Sequence, residues 1–136
     1  MMISTKGRYA LRVMIDLAQH GEDGYVSLKT ISERQGVSLK YLEAIVSMLN
    51  KAGMVESLRG KDGGYQLARK PEEYSIGDIL RLVEGSIAPV ACVDHPEGGC
   101  TQTDHCLTFP LWQKLDRLID DYLGSVTLRD LIERTV

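Results

Sequence analysis

Residues 27–46 read Ser27-Leu28-Lys29-Thr30-Ile31-Ser32-Glu33-Arg34-Gln35-Gly36-Val37-Ser38-Leu39-Lys40-Tyr41-Leu42-Glu43-Ala44-Ile45-Val46. Two amphipathic runs meet at Gln35-Gly36-Val37-Ser38. Ser27 stands at the N-cap of a helix over Leu28 to Gln35, with Leu28 and Ile31 inward and Gly36 closing it. Ser38 can cap a second helix from Leu39 to about Ala52. Leu39, Leu42, Ile45, Val46 and Leu49 supply its buried stripe, and Gly53 stops it. Two short helices around a glycine-containing turn predict a helix-turn-helix.

The flanking residues extend the pattern. Met54-Val55-Glu56-Ser57-Leu58 alternates as a strand does, and Tyr65-Gln66-Leu67-Ala68 reads as its return. Between them Arg59-Gly60-Lys61-Asp62-Gly63-Gly64 is a basic, glycine-rich hairpin tip. Upstream, Ser4 or Thr5 can cap a first helix striped by Tyr9, Leu11, Val13, Met14, Ile15, Leu17 and Ala18, ended by Gly21. Downstream, Ser75 with Asp78 resembles a capping box on a fourth helix with Ile76, Ile79, Leu80 and Val83 on its apolar face. Residues 86–105 read as an irregular loop. A long helix resumes near Leu107, and a last short one starts at Thr127 with Asp130 in the capping-box position. The expected class is mainly α with a small β-hairpin: a winged helix-turn-helix domain over 1–74, a connecting helix and cysteine loop over 75–105, and a dimerisation helix with a C-terminal helix over 106–136.

The chain has 136 residues, 43% hydrophobic and 26% charged, which suits a globular fold and excludes disorder or fibrous repeats. No apolar run approaches the ~18 residues that span a bilayer, and the N-terminus lacks a signal-peptide h-region. A cytoplasmic protein with no membrane partner is expected. Residues 1–70 carry 11 Lys+Arg against 7 Asp+Glu, while residues 71–136 carry 5 against 12. A basic half joined to an acidic half hints at a polyanion-binding module attached to something else.

A winged helix lays its second helix-turn-helix element in the major groove and its wing on the flanking backbone or minor groove. Ser38, Lys40 and Tyr41, in the first turn of that element, are candidates for phosphate contact. Glu43 can accept from a cytosine amino group or repel wrong sequences. Arg59 and Lys61 flank the wing tip, where a guanidinium can enter a narrow minor groove. Lys6 and Arg8 can add backbone contacts. No nucleophile–base pair is placed for catalysis, so an enzyme is not expected.

Cys92, Cys100 and Cys106 form C-x₇-C-x₅-C in a chain with no other cysteine. A disulfide would leave one thiol over and disagrees with a cytoplasmic setting. Zinc ligand pairs usually stand closer, two to four residues apart, with His95 or His105 available as a fourth ligand. Spacing alone leaves an iron–sulfur cluster, a zinc site and a thiol redox switch equally open. The seam Leu111, Leu115, Leu118 and Tyr122, with Trp112 and Ile119 alongside, is wider than a terminal helix of one small domain needs.

Taken together, several motifs resemble one bacterial regulator family. They are residues 3–11 (Ile3-Ser4-Thr5-Lys6-Gly7-Arg8-Tyr9-Ala10-Leu11), Ser27-Leu28 with Ile31-Ser32-Glu33-Arg34-Gln35, and Ser38-Leu39-Lys40-Tyr41-Leu42-Glu43. To these add Arg59-Gly60 with Gly63-Gly64-Tyr65, Gly77-Asp78-Ile79, and Cys106-Leu107-Thr108 ahead of Leu111-Trp112. The family is that of dimeric winged-helix regulators including the iron–sulfur biogenesis regulator IscR, the nitric-oxide sensor NsrR and the cysteine-metabolism repressor CymR. The cysteine loop is most similar to the first of these.

The resemblance implies a homodimeric repressor, joined through the long C-terminal helix and bound to imperfectly palindromic double-stranded DNA. It also implies an iron–sulfur cluster, 2Fe–2S in preference to 4Fe–4S, on Cys92, Cys100 and Cys106. Control of iron–sulfur biogenesis or of cysteine and sulfur metabolism genes follows the same likeness. Two positions depart from the family pattern. The first inter-cysteine gap is longer than usual, and Phe109 and Arg8 stand where the family's two types of fourth ligand would be. The fourth ligand is then open among His95, His105, Asp94, Asp104 and a small exogenous ligand, and a thiol-redox or zinc-dependent regulator on the same scaffold is the alternative.

Overall fold

The computed structural model describes residues 3–94 and 105–136. Helix α1 spans Thr5–Gln19, α2 Leu28–Gln35 and α3 Leu39–Lys51. Strands β1 (Val55–Leu58) and β2 (Gly64–Leu67) follow, then α4 (Ile76–Glu84), α5 (Ala91–Asp94), α6 (Phe109–Ser125) and α7 (Leu128–Glu133). It is a mainly helical winged helix-turn-helix with a two-stranded antiparallel hairpin and a long C-terminal helix. Among the described residues no helix is long and apolar enough to cross a membrane.

Serine and threonine side chains start five of the helices. Ser4, Ser27, Ser38, Ser75 and Thr127 each accept from a main-chain N–H three residues on, satisfying a donor the helix itself cannot. Thr127 and Asp130 form a full capping box. At Ser75 only the serine half of the box was found. Gly36 closes α2 in the left-handed region at φ 66°. The tight helix-turn-helix corner follows from that one residue.

The core runs through Ala10, Val13, Met14 and Leu17 of α1, Ile31 of α2, Leu42, Ile45, Val46 and Leu49 of α3, and Ile79 and Leu80 of α4. Leu128 of α7 is fully buried in it. Leu39 departs from its expected place in that stripe. It is 45% exposed, because as the first residue of α3 it lies on the line of the stripe but beyond its covered part. The loop expected over 86–105 also departs from irregularity, since residues 91–94 form the short helix α5.

The hairpin pairs Val55 with Leu67 and Leu58 with Gly64. A third edge comes from the stretch before α2, where Val26 and Tyr65 exchange main-chain hydrogen bonds at 2.8 Å. Gly64 permits this approach: a Cβ there would collide with the Val26 carbonyl. The wing is thus tied to the entry of the helix-turn-helix. A second isolated bridge, Ser75 with Thr127, ties the start of α4 to the start of α7.

Candidate nucleic-acid interface and cysteine loop

On α3 the side chains of Lys40, Glu43, Ala44 and Ser47 are exposed, opposite the buried stripe. Ser38 is exposed, and its Oγ accepts from the Tyr41 N–H at 3.2 Å, so the hydroxyl serves the helix cap. Tyr41 is only half-exposed. Its ring meets Tyr9 of α1 edge to face, with centroids 5.8 Å apart and planes at 87°. Arg59 and Lys61 are exposed on the turn after β1, Arg8 is exposed on α1, and Lys6 is half-buried. The turn separating β1 from β2 thus carries two cations clear of the core.

A buried polar cluster behind this face has no counterpart in the sequence reading. Asp16, 1% exposed, sits among the apolar residues of α1. Its carboxylate accepts from Arg34 Nη2 at 2.6 Å, Arg34 Nε at 3.0 Å and Gln35 Nε2 at 2.9 Å. A fully desolvated carboxylate needs such donors. The cluster bolts the end of α2 to α1, so the helix-turn-helix holds its angle to the core. An aspartate placed within an apolar helical stripe was the available signal.

Glu84, at the end of α4, reaches the start of α1. Its Oε1 accepts from the Ser4 N–H at 3.0 Å and from Ser4 Oγ at 2.6 Å. A negative group at a helix N-terminus also suits the helix dipole. Gly7 leaves room for it, since a Cβ there would collide with Oε1. Also on α4, Arg81 Nη2 lies 2.6 Å from Asp120 of α6.

The cysteine region lies at the junction of α5 and α6. Cys92 of α5 is half-buried and lines an open cleft of about 350 Å³ with Val93, Phe109, Gln113, Asp116 and Arg117. Cys106 is exposed on the turn that enters α6, where its carbonyl accepts from the Phe109 N–H at 3.3 Å. The Thr108 hydroxyl lies 3.2 Å from its sulfur, and hydrogen bonding to Thr108 holds this thiol below its ordinary range. Burial pushes the Asp116 carboxyl up, with Asp120 and Asp94 adding to it and Arg81 opposing. His105 is exposed beside Cys106.

Cys100 and His95 lie outside the described residues. Among the described residues no group of three or more His, Cys, Asp or Glu is placed to hold a metal. The fit of a cluster therefore turns on the two thiols in view. They stand at the same end of α6, one in a partly apolar cleft and one hydrogen-bonded toward its thiolate. That donor chemistry suits iron or zinc.

A helix-turn-helix with an exposed second helix and a cationic wing defines a sequence-reading double-stranded DNA binder. The chain belongs to the Rrf2 family, described as iron-dependent transcriptional regulators, whose family model matches residues 3–134. It is a DNA-binding transcriptional regulator and not an enzyme. It is 43% identical over 132 residues to the HTH-type transcriptional regulator IscR of Aliivibrio salmonicida, covering 97% of this chain and 77% of that one. Among solved structures it resembles T. potens IscR, with 41% identity, TM-score 0.79, all of this chain and 89% of the other. It also resembles CymR, the global cysteine regulator of B. subtilis, with 40% identity, TM-score 0.81, all of this chain and 99% of the other.

Proposed function

We propose that this regulator is a homodimeric repressor whose DNA affinity is set by an iron–sulfur cluster on Cys92, Cys100 and Cys106. One observation carries the reading: Cys92 and Cys106 flank the same end of α6, the helix whose apolar face is left uncovered. The family's iron dependence and the likeness to IscR support it. When bound, the cluster supplies an iron–sulfide core sensitive to redox state and cluster supply, 2Fe–2S in preference to 4Fe–4S. His95 and His105 are the candidate fourth ligands, and the regulated genes serve iron–sulfur biogenesis or cysteine and sulfur metabolism.

Lys40 and Glu43 face the bases from α3, while Ser38 and Tyr41 support its first turn. Arg59 and Lys61 hold the flanking DNA from the wing, and Lys6 and Arg8 add backbone contacts. The cysteines stand outside both α3 and the wing, so they act on subunit geometry. The 86–105 loop joins α4 to α6, and Arg81 couples the same two helices through Asp120. A shift of α6 alters the spacing of two recognition helices that must sit about 34 Å apart on DNA. Such coupling typically changes affinity by about 5–150-fold.

The exposed Cys106 thiol, with the Thr108 hydroxyl 3.2 Å from its sulfur, supports a second reading in which the loop is a thiol or zinc switch. One preparation separates the two. Protein purified without oxygen is examined by visible absorption with iron, sulfide and zinc analysis. Broad visible bands with about equal iron and sulfide support the cluster. A colourless protein, with zinc or with no metal, supports the switch.

A further inference from the structure

Arg12 projects from the middle of α1 onto the corner of the helix-turn-helix. Its Nη2 donates to the main-chain carbonyl of Gln35 at 2.8 Å, and its Nε donates to the Gln35 side-chain oxygen at 3.0 Å. Gln35 is the last residue of α2, so the guanidinium meets the negative end of that helix. The Gln35 side-chain amide is held in turn by Asp16, which points its oxygen at Arg12. The same guanidinium lies 5.0 Å from the centroid of the Tyr9 ring. Tyr9 then meets Tyr41 edge to face in the first turn of α3. One cation and one ring on α1 thus reach both ends of the corner Gly36-Val37-Ser38.

We infer that Arg12 is a positioning residue for DNA recognition, setting the angle at which α3 leaves the corner without contacting phosphate itself. The inference rests on reading α3 as the base-facing helix. A phosphate contact needs only a positive charge, which a lysine also carries. The corner contact needs a planar fork for two oxygens of Gln35 and a flat face for Tyr9, which an ammonium lacks. Loss of the brace blurs how α3 meets base edges. Contacts to the DNA backbone, shared by all sequences, are left in place.

The test uses the full chain and two duplexes of equal length, one selected in vitro by the wild-type protein and one of scrambled sequence. Affinities for both are measured over a range of salt for wild type, Arg12→Ala and Arg12→Lys. Both variants are expected to lose roughly tenfold on the selected duplex, the scale of one disturbed base-edge contact. Affinity for the scrambled duplex and its salt dependence should match wild type. Wild-type affinity in either variant would overturn the inference. So would a parallel loss on both duplexes with a shallower salt slope, the signature of a lost phosphate contact. Failure of the wild-type chain to select any duplex would remove the reading of α3, and the inference with it.

Discussion

Asp16 is the residue on which the helix-turn-helix depends most directly. Its carboxylate is buried and takes three donors from the end of α2, while Arg34 remains a third exposed. Asp16→Asn keeps the volume but removes the charge and turns one acceptor into a donor facing donors. A cost of about 2–3 kcal/mol is expected, moderated by water at Arg34. In a chain of this size that lowers the melting midpoint by roughly 10 °C, measurable by circular dichroism. An unchanged midpoint would show that the cluster contributes nothing net. The sequence reading did not find this site, because periodicity sorts residues by face and Asp16 lies on the apolar face. Its partners, Arg34 and Gln35, belong to another helix, and only packing brings them together.

At the scale of elements, the cap serines and threonine were legible because each solves a local problem within four residues. Gly36 was legible for the same reason, and the strand pairing because one short glycine-rich turn joins two alternating runs. Long-range fittings were not, and the contact of α4 with α1 is the clearest case. Glu84 and Ser4 stand 80 residues apart, and Gly7 has no local reason to be glycine inside α1. Alanine ordinarily stabilises a helix over glycine, by about 0.5–1 kcal/mol in mid-helix and by less in the first turn, where Gly7 stands. Here the added Cβ displaces Glu84 from Ser4. Gly7→Ala should therefore give no stabilisation in the wild-type chain, yet the full propensity gain in a Glu84→Ala background. Denaturant melts of the two single variants and the double variant check this. Equal gains in both backgrounds would mean that the Glu84 contact with Ser4 contributes nothing to α1.

At the scale of the molecule, α6 presents Leu111, Leu118 and Tyr122 at 59%, 55% and 58% exposure, with Leu115 half-buried between them. The seam read from the sequence thus falls on exposed and half-buried positions of α6. Ile119 and Leu123 lie on the inner side and pack against the core. Replacing both Leu115 and Leu118 with Asp should give a folded monomer by sedimentation and weaken DNA binding with it, because two half-sites are read together. A tight dimer in that variant would place the interface elsewhere.

In the cysteine loop the spacing of three thiols within 15 residues suggests soft-ligand chemistry, while which groups would join them depends on how the loop folds. The most direct measurement is the DNA affinity of one anaerobic preparation before and after removal of its cluster, beside Cys92→Ala, Cys100→Ala and Cys106→Ala. The loaded and cluster-free wild type should differ by about 5–150-fold, and all three variants should remain folded dimers fixed at the cluster-free value. Identical affinity and sequence preference in the two wild-type states would contradict the coupling of the cysteine loop to DNA.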